Sequence, residues 1–293
     1  MRLETQSGDI VSRQARAYGY SRHIGEYAAA AVMNGLLADG AGEIGISARI
    51  TVPARGDSSV IHGIRKSIKA VCEEKNLRFL EVEEFKSPFF PAPEVTVTGV
   101  SGTGKKAAGS TRDRIRAGQD IVLTKWIGLE GMLRITDEKK EELAERFAPG
   151  FLRQITSFKP EIFAEKEIRE VKEHGAAAVR QITEGGIFAA LWNLSGDMHR
   201  GVSLDMKNIS VLQETVEVCE HFRLNPYQLT SAGSFLVVTD QGEALRDRLL
   251  RRGVKAAVIG RVTDNNDKVI YNGEEVRYID RPAPDEFFRI FDM

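Results

Sequence analysis

The alternation of apolar and polar positions divides the chain into two stretches of mixed helix and strand. Residues 25–41, GEYAAAAVMNGLLADGA, read as a helix, because alanine and leucine favour it and Gly40 supplies a stop. IGISARITVP then alternates as a strand does and ends at Pro53. Residues 57–76 form a second helix. Asp57 or Ser58 caps it, and Val60, Ile64, Ile68 and Val71 make an apolar stripe at three-to-four spacing. LRFLEVEEF is strand-like, KSPFFPAPE is a loop broken by Pro88, Pro91 and Pro93, and VTVTGV is another strand. No element is assigned ahead of the first helix.

The second stretch begins near Arg114. QDIVLTKWIGLEGM starts as a strand and turns at Gly128 and Gly131, and TDEKKEELAERF is a charged helix capped by Thr136 or Asp137. PEIFAEKEIREVKEHG is a helix stopped at Gly175, and AAAVRQITEGGIFAALWNLSG passes from strand through Gly185-Gly186 into helix. GVSLDMKNI is a strand, and SVLQETVEVCEHF is a helix with a capping box from Ser210 to Gln213. SFLVVT is a buried strand, QGEALRDRLLRRG a helix, KAAVIGRVT a strand, and KVIYNGEEVRYI a hairpin turning at Asn-Gly. The order predicts an α/β (α+β) protein of two domains, 1–113 and 114–293, without a fixed-period repeat.

Composition narrows the function classes. Lys+Arg 41 against Asp+Glu 42 gives a net charge of −1, so no global positive field draws nucleic acid or an acidic membrane. Cys72 and Cys219 are too few and too far apart for a disulfide framework or a zinc cluster. The histidines, His23, His62, His174, His199 and His221, lack ligand spacing. No apolar run is long enough to span a bilayer, and MRLETQSGDI has no signal-peptide core, so the expected setting is cytoplasmic.

Three places offer chemistry. GVSGTGKKAAGS, residues 99–110, nearly matches G-x-x-x-x-G-K-[ST], but Lys106 stands where a hydroxyl should hold magnesium. The next strand follows after roughly a dozen residues, too soon for the crossover helix of a phosphate loop, so a connector between domains is the simpler reading. Gly185 and Gly186, at a strand-to-helix turn, would let an anion approach backbone N–H groups; the alternative is a turn needing glycine only for its backbone angles. Lys125 and Glu130 flank a glycine turn at a strand end, as catalytic groups often do; the alternative is a surface ion pair beside a buried Trp126. SAGSFLVV sets small residues before a core strand, which permits close backbone approach or simple packing.

AGQDIVLTKWIGLEG, TEGGIFAALWNLSG, VLQETVEVCEHFRLNPYQLTSAGSFLVV, KAAVIGRVT and EFFRIF occur in an order that resembles the aminoimidazole-ribonucleotide (AIR) synthase-related, or PurM-like, proteins. Within them the chain is most similar to the branch of the hydrogenase maturation factor HypE, related also to selenophosphate synthetase and thiamine-phosphate kinase. The resemblance implies an N-terminal domain that dimerises through a β-barrel, here truncated, and a C-terminal α+β domain. It implies ATP and magnesium as cofactors, a homodimer, and a protein partner. It places Asn34, Thr183, Gly185 and Gly186 at cofactor-binding positions, beside Lys125 and Glu130 as the catalytic candidates.

The departures concern the acids. Asn34-Gly35 stands for the family's Asn-Asp, LEVEEF for its Gly-Gly-His/Asp-Thr, and Arg180-Gln181 for the His-Asp before Thr-Glu-Gly-Gly; the chain ends in Met293 without a terminal cysteine. Magnesium prefers hard anionic oxygens, so no metal ligand is assigned. The expectation is a HypE-like homologue, a pseudoenzyme with a degenerate ATP–magnesium site and a binding or assembly role. Two alternatives stay open: an active ATP-dependent enzyme of the HypE/AIR synthase type, or a metal-independent binder of a phosphate metabolite.

Overall fold

The computed structural model describes residues 1–4, 8–103 and 114–291. The chain separates into two compact units, one of residues 1–107 with 134–153, the other of residues 108–133 with 154–293. Among the described residues no helix is long and apolar enough to cross a membrane.

The first unit holds strands β1 (Arg2–Glu4) and β2 (Asp9–Tyr18), helix α1 (Ile24–Ala38), β3 (Ile44–Pro53), α2 (Ser58–Glu74), β4 (Arg78–Ser87) and β5 (Glu94–Gly102). The strands form one sheet in the order β1-β2-β5-β3-β4, with β3 and β4 parallel and the other pairs antiparallel. Two of these strands precede the first helix, where the sequence pattern shows none. The reason is the run Ser12-Arg13-Gln14-Ala15-Arg16. Arg13 lies on the helix-covered face yet reaches Asp39 through two hydrogen bonds of 2.5 and 2.6 Å, while Gln14 and Arg16 point to the bare face. Polar residues therefore stand on both faces of β2, and the period of two is lost.

One face of this sheet is apolar and carries the helices: Val11, Ala17, Ile46, Ile50, Val95 and Val97 are buried with Val32 and Leu36 of α1. Gly99 sits in β5, and a Cβ there would lie 2.4 Å from Val32 Cγ1 and 2.6 Å from Leu36 Cδ1. The first glycine of the phosphate-loop lookalike thus admits α1 to the sheet. Gly104, Lys105 and Lys106 lie outside the described residues. The other face is polar, with cross-strand rows Gln14–Thr98–Ser47–Glu81 and Arg16–Thr96–Arg49–Glu83. They border a concavity of about 890 Å³.

The elements after β5 begin with β6 (Asp120–Thr124) and continue through helices α3 (Leu129–Glu138), α4 (Lys140–Arg146) and α5 (Pro149–Ser157). Gly131 lies inside α3 rather than at a turn, and glycine is needed there for packing, because a Cβ would fall 2.4 Å from Leu229 Cγ. Thr136 and Asp137 also belong to α3, so the charged stretch is two helices and neither residue caps it. Pro149 opens α5, because proline is tolerated in a first helical turn. The predicted helix from Pro160 is a short 3-10 turn, Lys159–Ile162, followed by α6 (Glu165–His174), which Gly175 ends at φ 85°.

The rest is β7 (Ala178–Gln181), α7 (Gly186–Met198), β8 (Val202–Asp205), α8 (Gln213–Phe222), β9 (Phe235–Thr239), α9 (Gly242–Arg251), β10 (Ala256–Val262), β11 (Lys268–Asn272) and β12 (Glu275–Tyr278). The strands of the second unit lie in the order β12-β11-β8-β10-β6-β9-β7. Ile121, Leu123, Leu191, Leu236, Val238 and Ile259 are at the centre of its core. The capping box is not formed: α8 starts after Leu212 without a side-chain cap, and the Ser210 carbonyl accepts the Ile127 N–H. The hairpin turns on Gly273-Glu274, one residue beyond Asn-Gly, with Gly273 at φ 65°.

Candidate functional site

In the second unit, the end of β6 and the loop before β9 are stitched together by buried hydrogen bonds. Thr124 Oγ1 accepts the Phe235 N–H at 3.0 Å, Ser231 Oγ accepts the Gly128 N–H at 2.6 Å, and Ser234 Oγ donates to the Trp126 carbonyl at 2.7 Å. Gly233, at φ 98°, lets the loop approach the backbone of Ile162, 2.6 Å from where a Cβ would stand. The small residues of SAGSFLVV therefore serve a close approach between two segments of the backbone. Trp126 is half-buried and meets Phe158 edge-on at 5.9 Å.

Lys125 and Glu130 both lie here, and they are not partners. Lys125 takes a left-handed backbone, φ 56°, and its side chain is buried. Its Nζ donates to the carbonyls of Glu161 and Phe163, each at 2.7 Å, and pairs with Glu167 Oε1 at 2.8 Å. An ammonium has three protons, and these contacts account for them. Glu130 is buried too; Oε2 accepts the Thr230 hydroxyl at 2.5 Å and the Ala232 N–H at 3.3 Å.

Gly185 and Gly186 form the turn into α7, at φ 81° and 67°. A Cβ on Gly186 would lie 2.4 Å from the Tyr227 carbonyl oxygen, and one on Gly185 2.7 Å from Ala189 Cβ. The Gly185 N–H donates to Asp285 Oδ2 at 2.7 Å, and Asp285 Oδ1 accepts the Phe287 N–H at 2.9 Å. The helix start thus meets a buried carboxylate of the chain itself, at the place where an anion would be welcomed. Thr183 and Glu184 beside it are exposed. Tyr227 stacks on Phe188 at 5.4 Å, and burial pushes its phenol pKa up.

The sequence marks Gln181 only as a replaced acid, and the structure adds that its amide is enclosed. Its Oε1 and Nε2 are buried and, among the described residues, make no hydrogen bond. The signal was present, since Gln181 stands just before Thr183-Glu184-Gly185-Gly186 where the resemblance implies an aspartate. Its neighbour Arg180 pairs with Asp197.

Asn34 belongs to the other unit, wholly buried in α1. Burial raises the Glu138 pKa; its carboxylate accepts the Tyr20 and Ser21 N–H groups at 2.8 and 2.7 Å. Asn34 offers an amide, and Thr183, Gly185 and Gly186 a hydroxyl and backbone N–H groups; none of these candidates is a carboxylate of the kind through which proteins hold magnesium. Among the described residues no group of three or more His, Cys, Asp or Glu could hold a metal ion.

The family model described as "AIR synthase related protein, C-terminal domain" matches residues 116–272. The chain belongs to this family. Solved structures agree in fold. Escherichia coli HypE, a hydrogenase maturation protein, is 14% identical at a TM-score of 0.75, covering 97% of this chain and 90% of that one. HypE from a HypE–HypF complex is 17% identical at 0.72, covering 96% and 93%. Thiamine monophosphate kinase of Aquifex aeolicus is 15% identical at 0.64, covering 92% of each. No curated protein matches. At these identities the structural likeness is one of fold.

Proposed function

We propose that this AIR synthase-related protein acts by binding, as an assembly partner with a degenerate ATP–magnesium site, and not by phosphoryl transfer. The observation that carries the reading is the Asp285 carboxylate on the Gly185 N–H: a negative group already satisfies the turn that an incoming phosphate would use. Lys125 and Glu130 support it, because their polar atoms bond inside the chain. Phosphoryl transfer relies on positioned cations to neutralise charge as it develops, and these groups are turned inward. The HypE–HypF complex among the structural relatives makes a protein partner a reasonable occupant, and the polar face of the five-stranded sheet is the surface we assign to it or to a second copy.

A second reading has one observation in its favour. The unpartnered amide of Gln181 next to the glycine turn suits a metal-independent binder of a phosphate metabolite. Calorimetry of the full chain with ATP, with and without magnesium, separates the readings. No heat of binding in either condition is expected. Tight magnesium-dependent binding would overturn the proposal in favour of an ATP-dependent enzyme, and equal binding without metal would favour the second reading.

A further inference from the structure

The sheet of the second unit ends in a hairpin whose outer strand has a neighbour on one side. Among the described residues, β12 pairs with β11 alone. It reads Glu275-Val276-Arg277-Tyr278, and every residue of it is exposed. The hairpin's side chains sort by face. Val276 lies opposite Tyr271, and Tyr278 opposite Val269, so these share one face; Ile270, on the other, is buried in the core. Val276, Tyr278 and Tyr271 are 51%, 66% and 43% exposed, an apolar patch on the margin of a sheet.

The backbone of this margin is ordered for pairing. The Ile279 N–H donates to the Lys268 carbonyl at 2.8 Å. Hydrogen-bonded pairs alternate along an antiparallel ladder, so Glu275 and Arg277 also turn their backbone groups toward β11. Those of Val276 and Tyr278 therefore point away from it, where a further strand would join.

Charge decides which strand fits. Glu275 and Arg277 stand on the face opposite Val276, and Arg277 Nε donates to Glu275 Oε1 at 2.8 Å. Both are exposed, so this pair within the strand is worth little and leaves each side chain able to meet a neighbour across the margin. A second β12 laid antiparallel about a two-fold axis has few registers that match the outward groups. Centred on Glu275, it sets two carboxylates together; centred on Arg277, two guanidiniums. Centred on Val276, it sets Glu275 of each copy against Arg277 of the other, in the closer, non-hydrogen-bonded pairs. Val276 then meets its own copy, and the two apolar patches become one. The margin formed by β4 differs, because Glu81, Glu83 and Glu84 gather one sign of charge along it. An edge of like charge repels a copy, whereas an edge with one charge of each sign matches it.

We infer that β12 docks a second copy of this chain, antiparallel and in the register centred on Val276, so that the two sheets join along it. The strand is short, so the association is weak and concentration-dependent. The inference is independent of the proposed function, because it uses no residue of the glycine turn or of the five-stranded sheet.

The test is sedimentation velocity of the full chain over a range of concentrations, in which a reversible association step is expected. Glu275→Arg sets like charges against each other twice by symmetry and should weaken that step about tenfold, and Arg277→Glu should do the same. The double variant Glu275→Arg with Arg277→Glu restores unlike pairs and should recover the association. These side chains are exposed, so melting temperatures should be unchanged. Val276→Cys adds a second readout. With its own copy directly opposite, mild oxidation should link two chains, faster than in Glu275→Cys, whose copy is offset along the strand; the native Cys72 and Cys219 are buried. Association through another surface would be indifferent to both charge reversals. A chain that sediments as a monomer throughout overturns the inference and leaves the margin to solvent or to another protein. Association unchanged by the single reversals, no recovery in the double variant, or Val276→Cys linking no faster than Glu275→Cys overturns it equally.

Discussion

The two units use polar residues in opposite ways. In the second, Lys125, Glu130, Thr124, Ser231 and Ser234 turn inward and hold one loop against another. In the first, Arg16, Thr96, Arg49 and Glu83 stand in a row across an uncovered sheet face, and Lys66 and His62 border an open groove. The strongest family motifs thus lie where the side chains are least available to a ligand. A motif can persist because it closes a fold, so its presence alone does not locate a site.

The sharpest way to break this contrast is at Lys125. Glu167→Ala removes the buried carboxylate at 2.8 Å and leaves the ammonium only the more exposed Glu161 Oε2 at 3.5 Å, so it should cost about 3–5 kcal/mol in urea unfolding at neutral pH. The double replacement Lys125→Met with Glu167→Leu should recover most of that loss. A cost below about 1 kcal/mol for the single variant would place Lys125 with the surface lysines. Next in size is Asp285→Ala, which removes the acceptor of the Gly185 and Phe287 N–H groups. It should cost about 1–2 kcal/mol by the same measurement. Calorimetry of that variant with inorganic phosphate sharpens the comparison: new binding would show that the carboxylate alone keeps the turn closed to anions.

Glu138 gives a pH test within the first unit. Burial raises its pKa above the ordinary 4.5, so the folded state holds the proton more tightly than the unfolded state. Its contribution to stability is therefore complete below the unfolded value and is lost as pH rises through the folded one. Glu138→Gln should flatten the stability–pH curve across that window in a series of melting curves, and an unchanged curve would refute the assignment. The smallest effect is expected at Arg49→Ala. Its pair with Glu83, at 2.8 Å, is exposed, so unfolding should shift by no more than about 0.5 kcal/mol.

Most of the element order was legible because apolar side chains set the period: Ile64, Ile68 and Val71 on α2, and the strand of Phe235–Thr239. β2 was not, since Arg13 on its covered face answers to Asp39, 26 positions along the chain. The split of α3 from α4 was hidden because Thr136 and Asp137 resemble caps, while Asp137 in fact accepts the Tyr27 hydroxyl at 2.7 Å. Of the candidate site, the glycine turn could be read from Gly185-Gly186 alone. Its occupant could not: Asp285 comes from 100 residues away, and only the folded chain brings it there. The pairing of Lys125 with Glu167 was obscured in the same way, since Glu130 is nearer in sequence.

The margin formed by β4 has a practical side. It is the last strand of its sheet, ten residues long, and Leu80, Phe85 and the nearby Phe89 are exposed. A strand of that kind invites fibril-like stacking, and natural proteins guard it with charge. Glu81, Glu83, Glu84 and Lys86 are distributed along it as gatekeepers, so neutralising them to improve crystallisation would favour precipitation instead.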